Sequence, residues 1–334
     1  MQEKNSKDTP LFSVVMVTYN TERYITQALD SIIEQKHNYL YEIIIGDDFS
    51  TDGTRDILMQ YKEKYSDIIT LIFNENNLGM IKNYFNVLSH CWGKYIMACA
   101  DDYWLPGRVE QQIQYMEMHP ETGMVYGKVQ LYYEKESKFG EIAGSKTTTV
   151  YELMKINGIP AQTFCIQNEL VKKYIREIDP LSKEWLYEDY PMWFWFAYNS
   201  KIKFIDTIFA VYCIREGSIA HPKNIENKIS IYDNIIAIRK FYADYYKITL
   251  FIDDLNQIKY GVLWDSRKCP SKKDYLYFIG KLNLEQIENK CKFHDKMAYK
   301  SYLLFLLMFF IRKIYRRIKW AITLCVNSKT MQPD

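Results

Sequence analysis

The chain has 334 residues, of which 48% are hydrophobic and 16% aromatic, and its formal net charge is +2. This length and apolar content suffice for a full hydrophobic core and exclude an intrinsically disordered chain. The near-neutral charge balance provides no global excess that would attract nucleic acid, so no nucleic-acid partner is expected.

Cysteine usage and the N-terminus bear on the cellular compartment. The seven cysteines form no C-x-x-C pair and no even framework, which argues against a zinc ribbon and a secreted disulfide scaffold. The N-terminal segment MQEKNSKDTP is polar and lacks the apolar stretch of a secretory signal. We therefore expect a cytoplasmic protein.

Four strand–loop–helix units are predicted over the first third of the chain. After the first strand, Thr21 is an N-cap candidate for a helix, and another helix is expected from about Thr54. Such repeats with short loops are typical of a mostly parallel sheet with helices on both faces. The predicted strands are FSVVMVT at 12–18, YEIIIG at 41–46, IITLIF at 68–73 and KYIMAC at 94–99.

Polar residues follow each of these strands. In parallel α/β sheets, ligands bind beyond the carboxyl ends of the strands. We therefore expect acidic and amide side chains to converge at one edge of the sheet. The residues in question are Thr18-Tyr19-Asn20, Asp47-Asp48, Asn76-Asn77 and Asp101-Asp102.

The second half has a mixed pattern. A helix is expected near 150–156, and the segment 185–221 is rich in aromatics and carries a second acidic pair, Glu188-Asp189. Beyond 224 the periodicity is helical and Lys-rich, which favours an accessory helical region over 223–298.

The C-terminal segment 299–334 combines the apolar run YLLFLLMFFI (302–311) with the basic run RKIYRRIKW. A ten-residue helix rises only about 15 Å against about 30 Å of hydrocarbon, so the run is too short to span a bilayer. It suits a helix lying on an anionic inner leaflet. The alternative is a terminal helix packed on the domain or on a partner in a homodimer.

Asp101 and Asp102 have two interpretations. Adjacent carboxylates at a strand end are hard oxygen ligands that suit Mg²⁺ or Mn²⁺. A lone pair of aspartates is more often a helix cap, and Asp102 lies shortly before Pro106, a residue typical of a first helical turn. The dipeptide alone favours capping, so the surrounding sequence must decide.

The sequence as a whole resembles the family 2 glycosyltransferases, an inverting group with a GT-A (Rossmann-like) α/β fold. The resemblance covers 12 to about 115 and continues more weakly, through YEDYPMWFWFAYNSKIKFIDTIFAVYCIREGS, to about 218. Its motifs, in the family's order and spacing, are FSVVMVTYNTERYITQALDSIIEQ, YEIIIGDDFSTDGTRDIL, NENNLGMIKNYFNVL and GKYIMACADDYWLPGRVEQQ.

The resemblance implies a nucleotide-sugar site at the strand ends. Asp48 is expected to face the uracil edge, where a carboxylate accepts from a ring N–H. Asp47 is a secondary candidate, because DDFSTDGT also reads as turn chemistry. The further residues that the resemblance places at the nucleotide sugar are Thr18, Tyr19, Asn20, Asn83 and Asp101.

The resemblance also implies a divalent metal, Mn²⁺ or Mg²⁺. Asp102 matches the metal-ligating aspartate of the family's DxD-type motif, and Asp101 is its neighbour at the metal and the donor. Cys99 departs from the commonest form D-x-D-D, and a neutral thiol is a poor ligand for a hard cation.

Catalysis is expected at Glu188-Asp189, with Asp189 as the base and Glu188 as the alternative. Arg215 stands where relatives often carry a metal-binding histidine, so it is expected to pair with the diphosphate instead. His221, six residues further on, is a candidate to replace that histidine as a ligand, and the alternative is a surface histidine. Trp185 is a weak candidate for stacking on the acceptor sugar, since packing in the core is the commoner role of such residues.

Together these observations predict a metal-dependent inverting glycosyltransferase domain over 1–222, with a nucleotide-binding half at about 10–120 and an acceptor half at about 121–222. The expected donor is a UDP-sugar, and the expected acceptor is a lipid-linked saccharide at the inner face of the membrane, in cell-surface polysaccharide synthesis. The alternative is a catalytically degenerate assembly protein. A dinucleotide-dependent oxidoreductase is disfavoured, because the loop TYNTERY contains no glycine. A sugar-phosphate nucleotidyltransferase is disfavoured because a Gly-rich loop is missing after the first strand.

Overall fold

A computed structural model describes residues 9–215 and 224–249, together with residues 306, 307 and 311. The chain divides into two units, residues 1–221 and residues 222–334. Nearly all of the predicted basic tail and most of the predicted accessory region lie outside the described residues, so membrane contact by the tail stays a prediction. Among the described helices, none combines the length and apolar character that crossing a membrane requires.

The first four strands are parallel, as the sequence predicts, and the structure places them in the order β3-β2-β1-β4. Apolar strand residues alternate with short polar loops and amphipathic helices, which is the pattern of β–α–β units. The bounds are β1 Phe12–Thr18, α1 Ile25–Ile33, β2 Tyr41–Asp47, α2 Thr54–Lys64, β3 Ile69–Phe73, α3 Met80–Leu88 and β4 Tyr95–Cys99.

Helices cover both faces of this part of the sheet. Val14 of β1 belongs to the same buried cluster as Leu29 of α1, on one face. On the other face, a Cβ added to Gly46 of β2 would lie 2.4 Å from Val87 and 2.5 Å from Asn83 of α3. Glycine at position 46 therefore allows α3 to pack directly against the backbone of β2.

One local prediction was wrong. α1 begins at Ile25 with Tyr24 at the N-cap position, and no side chain caps it. Thr21 contributes its backbone carbonyl instead, which accepts from the N–H groups of Tyr24 and Ile25 at 2.9 Å each. The turn over residues 21–24 delays the helix by one turn.

The second half makes the sheet mixed. The order continues from β4 through β8, β6 and β9 to β5, and β7 pairs with β6. β8 is antiparallel to both of its neighbours, whereas β6 and β9 are parallel. The bounds are β5 Tyr103–Trp104, α4 Arg108–Met118, β6 Thr122–Tyr133, β7 Lys138–Ala143, α5 Val150–Lys155, β8 Cys165–Gln167, α6 Asn168–Ile178, α7 Asp189–Asn199, β9 Lys201–Ile214 and α8 Ile225–Tyr245, which belongs to the second unit.

The short strand β5 positions the residues after β4. It is antiparallel to β9, with Tyr103 opposite Val211 and Trp104 opposite Ala210. Since Asp102 directly precedes β5, this pairing brings the aspartate pair next to the carboxyl end of β9. Arg215 is the residue that follows β9, so it reaches the same place.

Candidate functional site

The ends of β1, β2 and β4 meet at one edge of the sheet. Thr18 lies opposite Asp47 in the parallel register of β1 and β2, and Met16 lies opposite Cys99 in that of β1 and β4. The N–H of Asp48 donates to the carbonyl of Thr18 at 2.9 Å. The predicted convergence of polar residues at this edge is therefore present in the structure.

Beyond β1, the chain turns sharply at Asn20, whose φ is 53°. The N–H of Asn20 donates to Ser50 Oγ at 2.9 Å, and its Oδ1 accepts from the N–H of Thr51 at 2.8 Å. The Tyr19 side chain beside it is half-exposed, at 52%. Asn20 thus joins the β1 and β2 loops and leaves the Tyr19 ring open to a ligand; the nucleotide roles of both residues stay predictions.

The Asp48 carboxylate is buried and held by the loop before α3. It accepts from the N–H groups of Leu78 at 2.7 Å and Gly79 at 2.9 Å, and from Asn74 Nδ2 at 3.0 Å. A carboxylate offers about four lone-pair positions, so these three hydrogen bonds leave one acceptor position. The geometry is compatible with the predicted acceptance of a base N–H by Asp48.

The other aspartate of this loop, Asp47, is fully buried and pairs with Arg55 of α2. Its carboxylate also accepts from the N–H of Ser50 at 3.2 Å, and the Arg55 guanidinium lies over the ring of Phe73, 5.0 Å from its centroid. Through these contacts Asp47 stabilises the loop that follows β2. A contact of Asp47 with the nucleotide stays a prediction.

Breaking this ion pair is expected to cost stability. Asp47→Asn keeps an acceptor for Ser50 but leaves Arg55 without its counter-charge, so we expect the free energy of unfolding to fall by about 2 kcal/mol. Denaturant unfolding measures the change, and Asp56→Asn, an exposed site in the first turn of α2, is the matched control. Equal free energies of unfolding for the two variants would contradict a stabilising role of the Asp47–Arg55 pair.

Asn83 and Asn74 connect the core to the Asp48 loop. Asn83 Nδ2 donates to the carbonyl of Gly46 at 2.8 Å, and its Oδ1 accepts from Asn74 Nδ2 at 3.0 Å. Asn83 is 1% exposed, so its visible role is to support Asp48 through Asn74, and its predicted contact with the donor is untested. Asn74 is not among the residues predicted from the sequence, although its position directly after β3 is the same signal that marks the other strand-end residues.

Asp102 is buried behind Asp101. Its Oδ1 accepts from the N–H of Cys213 on β9 at 2.8 Å. The capping interpretation is wrong for Asp102, because α4 begins only at Arg108, after Gly107 in a left-handed conformation with φ 80°. Burial, together with the nearby charge of Asp101, raises the pKa of Asp102 to about 7.

Arg215 is the nearest cation to this pair in the described structure. Its Nη1 forms an ion pair with the Asp101 carboxylate, and its Nη2 donates to the Asp101 carbonyl at 2.7 Å. The guanidinium also stacks on Tyr24, 3.7 Å from the ring centroid, and its Nε lies 3.5 Å from Glu134 Oε2. The hydroxyl of Tyr24 donates to Glu134 Oε1 at 2.5 Å. Nothing in the sequence singled out Tyr24 or Glu134, which meet Arg215 only through the fold.

The aspartate pair fits a divalent cation with few protein ligands. Burial, and next the charge of Asp101, disfavours the ionised form of Asp102, and a bound dication would stabilise that form. Mg²⁺ and Mn²⁺ commonly complete their coordination with water and phosphate oxygens. Among the described residues, no group of three or more His, Cys, Asp or Glu side chains could hold a metal. Burial raises the pKa of the Cys99 thiol, which donates to the Asp102 carbonyl at 3.3 Å and is no ligand in this state.

The second acidic pair begins α7. Asp189 is its first residue and Glu188 precedes it, and neither side chain caps the helix. Burial, and next the charge of Asp189, raises the pKa of Glu188 to about 8. Burial also raises the pKa of Asp189, to about 6, against the opposing effect of backbone N–H groups and Trp193. A carboxylate with such a pKa can take a proton near neutral pH.

The raised pKa of Glu188 predicts a pH-dependent change in stability. The folded state binds this proton more tightly than the unfolded state, so wild-type stability falls as pH rises from about 4.5 towards about 8. Glutamine cannot ionise, so Glu188→Gln does not lose this stability as the pH rises. Its free energy of unfolding should exceed that of wild type by about 2 kcal/mol at pH 9 and should not exceed it at pH 4. Denaturant unfolding at the two pH values tests this prediction, with Glu110→Gln, at an exposed position, as the control. The same difference between Glu188→Gln and wild type at pH 4 and at pH 9 would contradict it.

Of the remaining predicted residues, Trp185 is partly buried three residues before Glu188, and its contact with an acceptor sugar stays a prediction. Trp193 and Trp195 are fully buried, as expected for core residues. His221 lies outside the described residues.

Comparison with known proteins identifies the domain. The model of the family described as Glycosyl transferase family 2 matches residues 13–169. An uncharacterized protein of Mycobacterium bovis, Mb1547, is 36% identical over 152 residues, which are 44% of each chain. The chain thus spans less than half of this relative's length. WfgD of Escherichia coli, a UDP-Glc:alpha-D-GlcNAc-diphosphoundecaprenol beta-1,3-glucosyltransferase, is 26% identical over 225 residues, 66% of this chain and 84% of that protein.

Solved structures share the fold. S. aureus TarS 1–349 in complex with UDP-GlcNAc superimposes with a TM-score of 0.55 at 19% identity, over 86% of this chain and 79% of that one. The mannosyltransferase PcManGT from Pyrobaculum calidifontis, in complex with GDP-Man and Mn²⁺, gives 0.55 at 14% identity, over 92% and 83%. The GT-A fold class is therefore confirmed, and residues 13–169 of the chain match the model of glycosyl transferase family 2.

Proposed function

We propose that the protein is a metal-dependent inverting glycosyltransferase that moves a sugar from a UDP-sugar to a saccharide hydroxyl. The observation that carries the proposal is the aspartate pair at the strand edge together with a second, half-buried acidic pair, Glu188 and Asp189, with raised pKa values. Tyr212 interacts electrostatically with residues of both regions. Burial is the largest cause that raises the pKa of its hydroxyl, and Asp102, Asp101 and Tyr187 raise it further. Tyr187 lies two residues before Asp189.

The donor site is assigned to the β1, β2 and β4 ends. Asp48 has one acceptor position left for the N–H of a uracil ring, and the exposed ring of Tyr19 offers a stacking face. Arg215 offers its guanidinium to the diphosphate, since planar guanidinium groups pair well with phosphate oxygens. A UDP donor accords with the TarS complex, which contains UDP-GlcNAc and has the same fold.

Transfer proceeds by one displacement. The Asp189 carboxylate takes the proton of the acceptor hydroxyl as the acceptor oxygen forms a bond to the anomeric carbon. The bond from that carbon to the diphosphate oxygen breaks, and its electron pair leaves with UDP. Attack from the side opposite the leaving group inverts the anomeric configuration. Mg²⁺ or Mn²⁺ held by Asp101 and Asp102 would stabilise the charge that develops on the diphosphate.

The acceptor is assigned to a lipid-linked saccharide in polysaccharide assembly at the inner face of the cell membrane. WfgD, whose name specifies a diphosphoundecaprenol-linked acceptor, matches 66% of this chain. The basic and apolar segment 299–334 suits peripheral contact with anionic lipid. A homodimer formed through this segment is the alternative.

A second candidate function is a catalytically degenerate, membrane-associated assembly protein. The small number of available metal ligands favours it. Arg215 forms an ion pair with Asp101, and Cys99 stands where relatives carry a carboxylate, so the metal site has fewer ligands than the resemblance implies. On this alternative the chain binds a nucleotide without turning it over.

The test is a donor panel. The full chain is incubated with UDP-sugars and a matched lipid-linked acceptor, with Mn²⁺, with Mg²⁺ and with a chelator, and release of UDP is followed. We expect turnover with one UDP-sugar that depends on the metal. Binding of UDP without turnover of any donor would overturn the proposal and support the assembly role.

A further inference from the structure

Two buried polar groups interact electrostatically with the Glu188–Asp189 pair. Tyr84 of α3 is 3% exposed and Trp193 of α7 is fully buried. Neither the Tyr84 hydroxyl nor Trp193 Nε1 has a hydrogen-bond partner within the described parts of the chain. Burying a donor without an acceptor is unfavourable, so each such group in a folded protein calls for an explanation.

Trp193 affects the acidic pair, and the acidic pair affects Tyr84. Trp193 lies four residues after Asp189, so the two side chains share one face of α7. Its indole N–H is close enough to lower the pKa of Asp189, although it does not reach hydrogen-bonding geometry. Burial, and next the charges of Glu188 and Asp189, raises the pKa of Tyr84 far above its usual range.

The surroundings of the two carboxyls differ. Burial raises the pKa of Asp189, but the backbone N–H groups of Tyr190 and Asp189, and then Trp193, oppose it; for Glu188, only its own backbone N–H opposes burial and the neighbouring charge. Asp189 is therefore the first of the two to lose its proton.

The other titratable groups around α7 serve different contacts. On α6, Glu177 accepts from Trp195 Nε1 at 2.9 Å and pairs with Lys173. Within α7, the Tyr190 hydroxyl donates to the carbonyl of Leu153 on α5 at 2.8 Å. Cys91 and Tyr174 act on Tyr84 and raise its pKa further.

We propose that Trp193 and Tyr84 are positioning residues that donate their unused N–H and O–H to the Glu188–Asp189 pair when an acceptor is bound, and thereby select Asp189 as the base. The inference rests on the proposed transferase function. It assigns the two buried donors a role in orienting the base and favouring its ionised form.

The first test is a pH profile of kcat, which reports the pKa of the base with the acceptor bound, with paired tryptophan variants. Trp193→Phe removes a donor to Asp189, so the acid limb should move to higher pH by about one unit. Trp195→Phe makes the same change two residues away, where the indole N–H serves Glu177, and should leave the limb in place. An unmoved limb in Trp193→Phe would overturn the role of the indole.

The second test is Tyr84→Phe, which removes only the hydroxyl. Deleting a buried hydroxyl without a partner should not lower the melting temperature, yet kcat should fall about tenfold if the hydroxyl donates to the pair. A lower melting temperature with unchanged kcat would assign Tyr84 to packing alone and overturn its part of the proposal.

The third test does not require turnover. In protein labelled with ¹⁵N-tryptophan, the indole resonance that Trp193→Phe removes should titrate with a midpoint above the ordinary aspartate range and stop doing so in Asp189→Asn. A Trp193 resonance that does not change with pH would overturn the proposal. Absence of transfer from every donor would instead overturn the proposed function, while this titration still reports on the contact.

Discussion

Asp189→Asn is expected to lower kcat by about 100- to 10,000-fold, the range that a lost general base covers. Asparagine has the shape of aspartate but cannot take the acceptor proton. Affinity for UDP should not change, since the proposed donor site lies at the β1, β2 and β4 ends and does not include Asp189. Measured kcat and UDP binding by calorimetry separate the two effects.

The matched variant for this prediction is Glu188→Gln, in the same acidic pair. If Asp189 is the base, the loss in kcat should be much smaller for Glu188→Gln than for Asp189→Asn. The reverse order would transfer the role to Glu188. Neither variant should unfold more readily at pH 8, because each replaces a carboxyl whose pKa burial has raised.

Asp102→Asn is expected to lower transfer by two to three orders of magnitude, because stabilisation of the leaving diphosphate by a metal is worth about several kcal/mol. In the wild type, Mn²⁺ should tighten UDP binding, and in Asp102→Asn this gain should be lost. Calorimetry with UDP, once with Mn²⁺ and once with a chelator, measures the gain in UDP affinity for wild type and for Asp102→Asn.

The fold offers an internal control for this substitution. The Oδ1 of asparagine can still accept from the N–H of Cys213, and the neutral amide removes a carboxyl whose pKa burial raises to about 7. The melting temperature at pH 8 should therefore not fall. If Asp102→Asn keeps both its activity and the gain from Mn²⁺, Asp102 is not a metal ligand.

The sequence predicts the first half of the sheet well, because its signals are local. Each of the four parallel strands is an apolar run followed by polar residues, and parallel pairing brings those residues to one edge. The edge position of Asp48 and of Asp101-Asp102 follows from that pattern alone. The family resemblance added their expected roles.

The parts that the sequence could not predict depend on long-range packing. Tyr24 and Glu134 are 110 positions apart, and Glu134 reaches Arg215 because β6 pairs with β9, with Tyr133 opposite Ile214. Whether Asp47 faces a ligand or a cation depends on where α2 places Arg55. The unpartnered donors Tyr84 and Trp193 are visible only once the atoms around them are known.

The stereochemistry of the product tests the central claim most directly. With the α-linked UDP-sugar that the donor panel identifies, proton NMR of the product of the full chain should show a β-linkage, which Asp189→Asn should form at least about 100-fold more slowly than wild type. A product that retains the α-configuration, or β-product formed equally well by Asp189→Asn, would contradict a single displacement with Asp189 as its base.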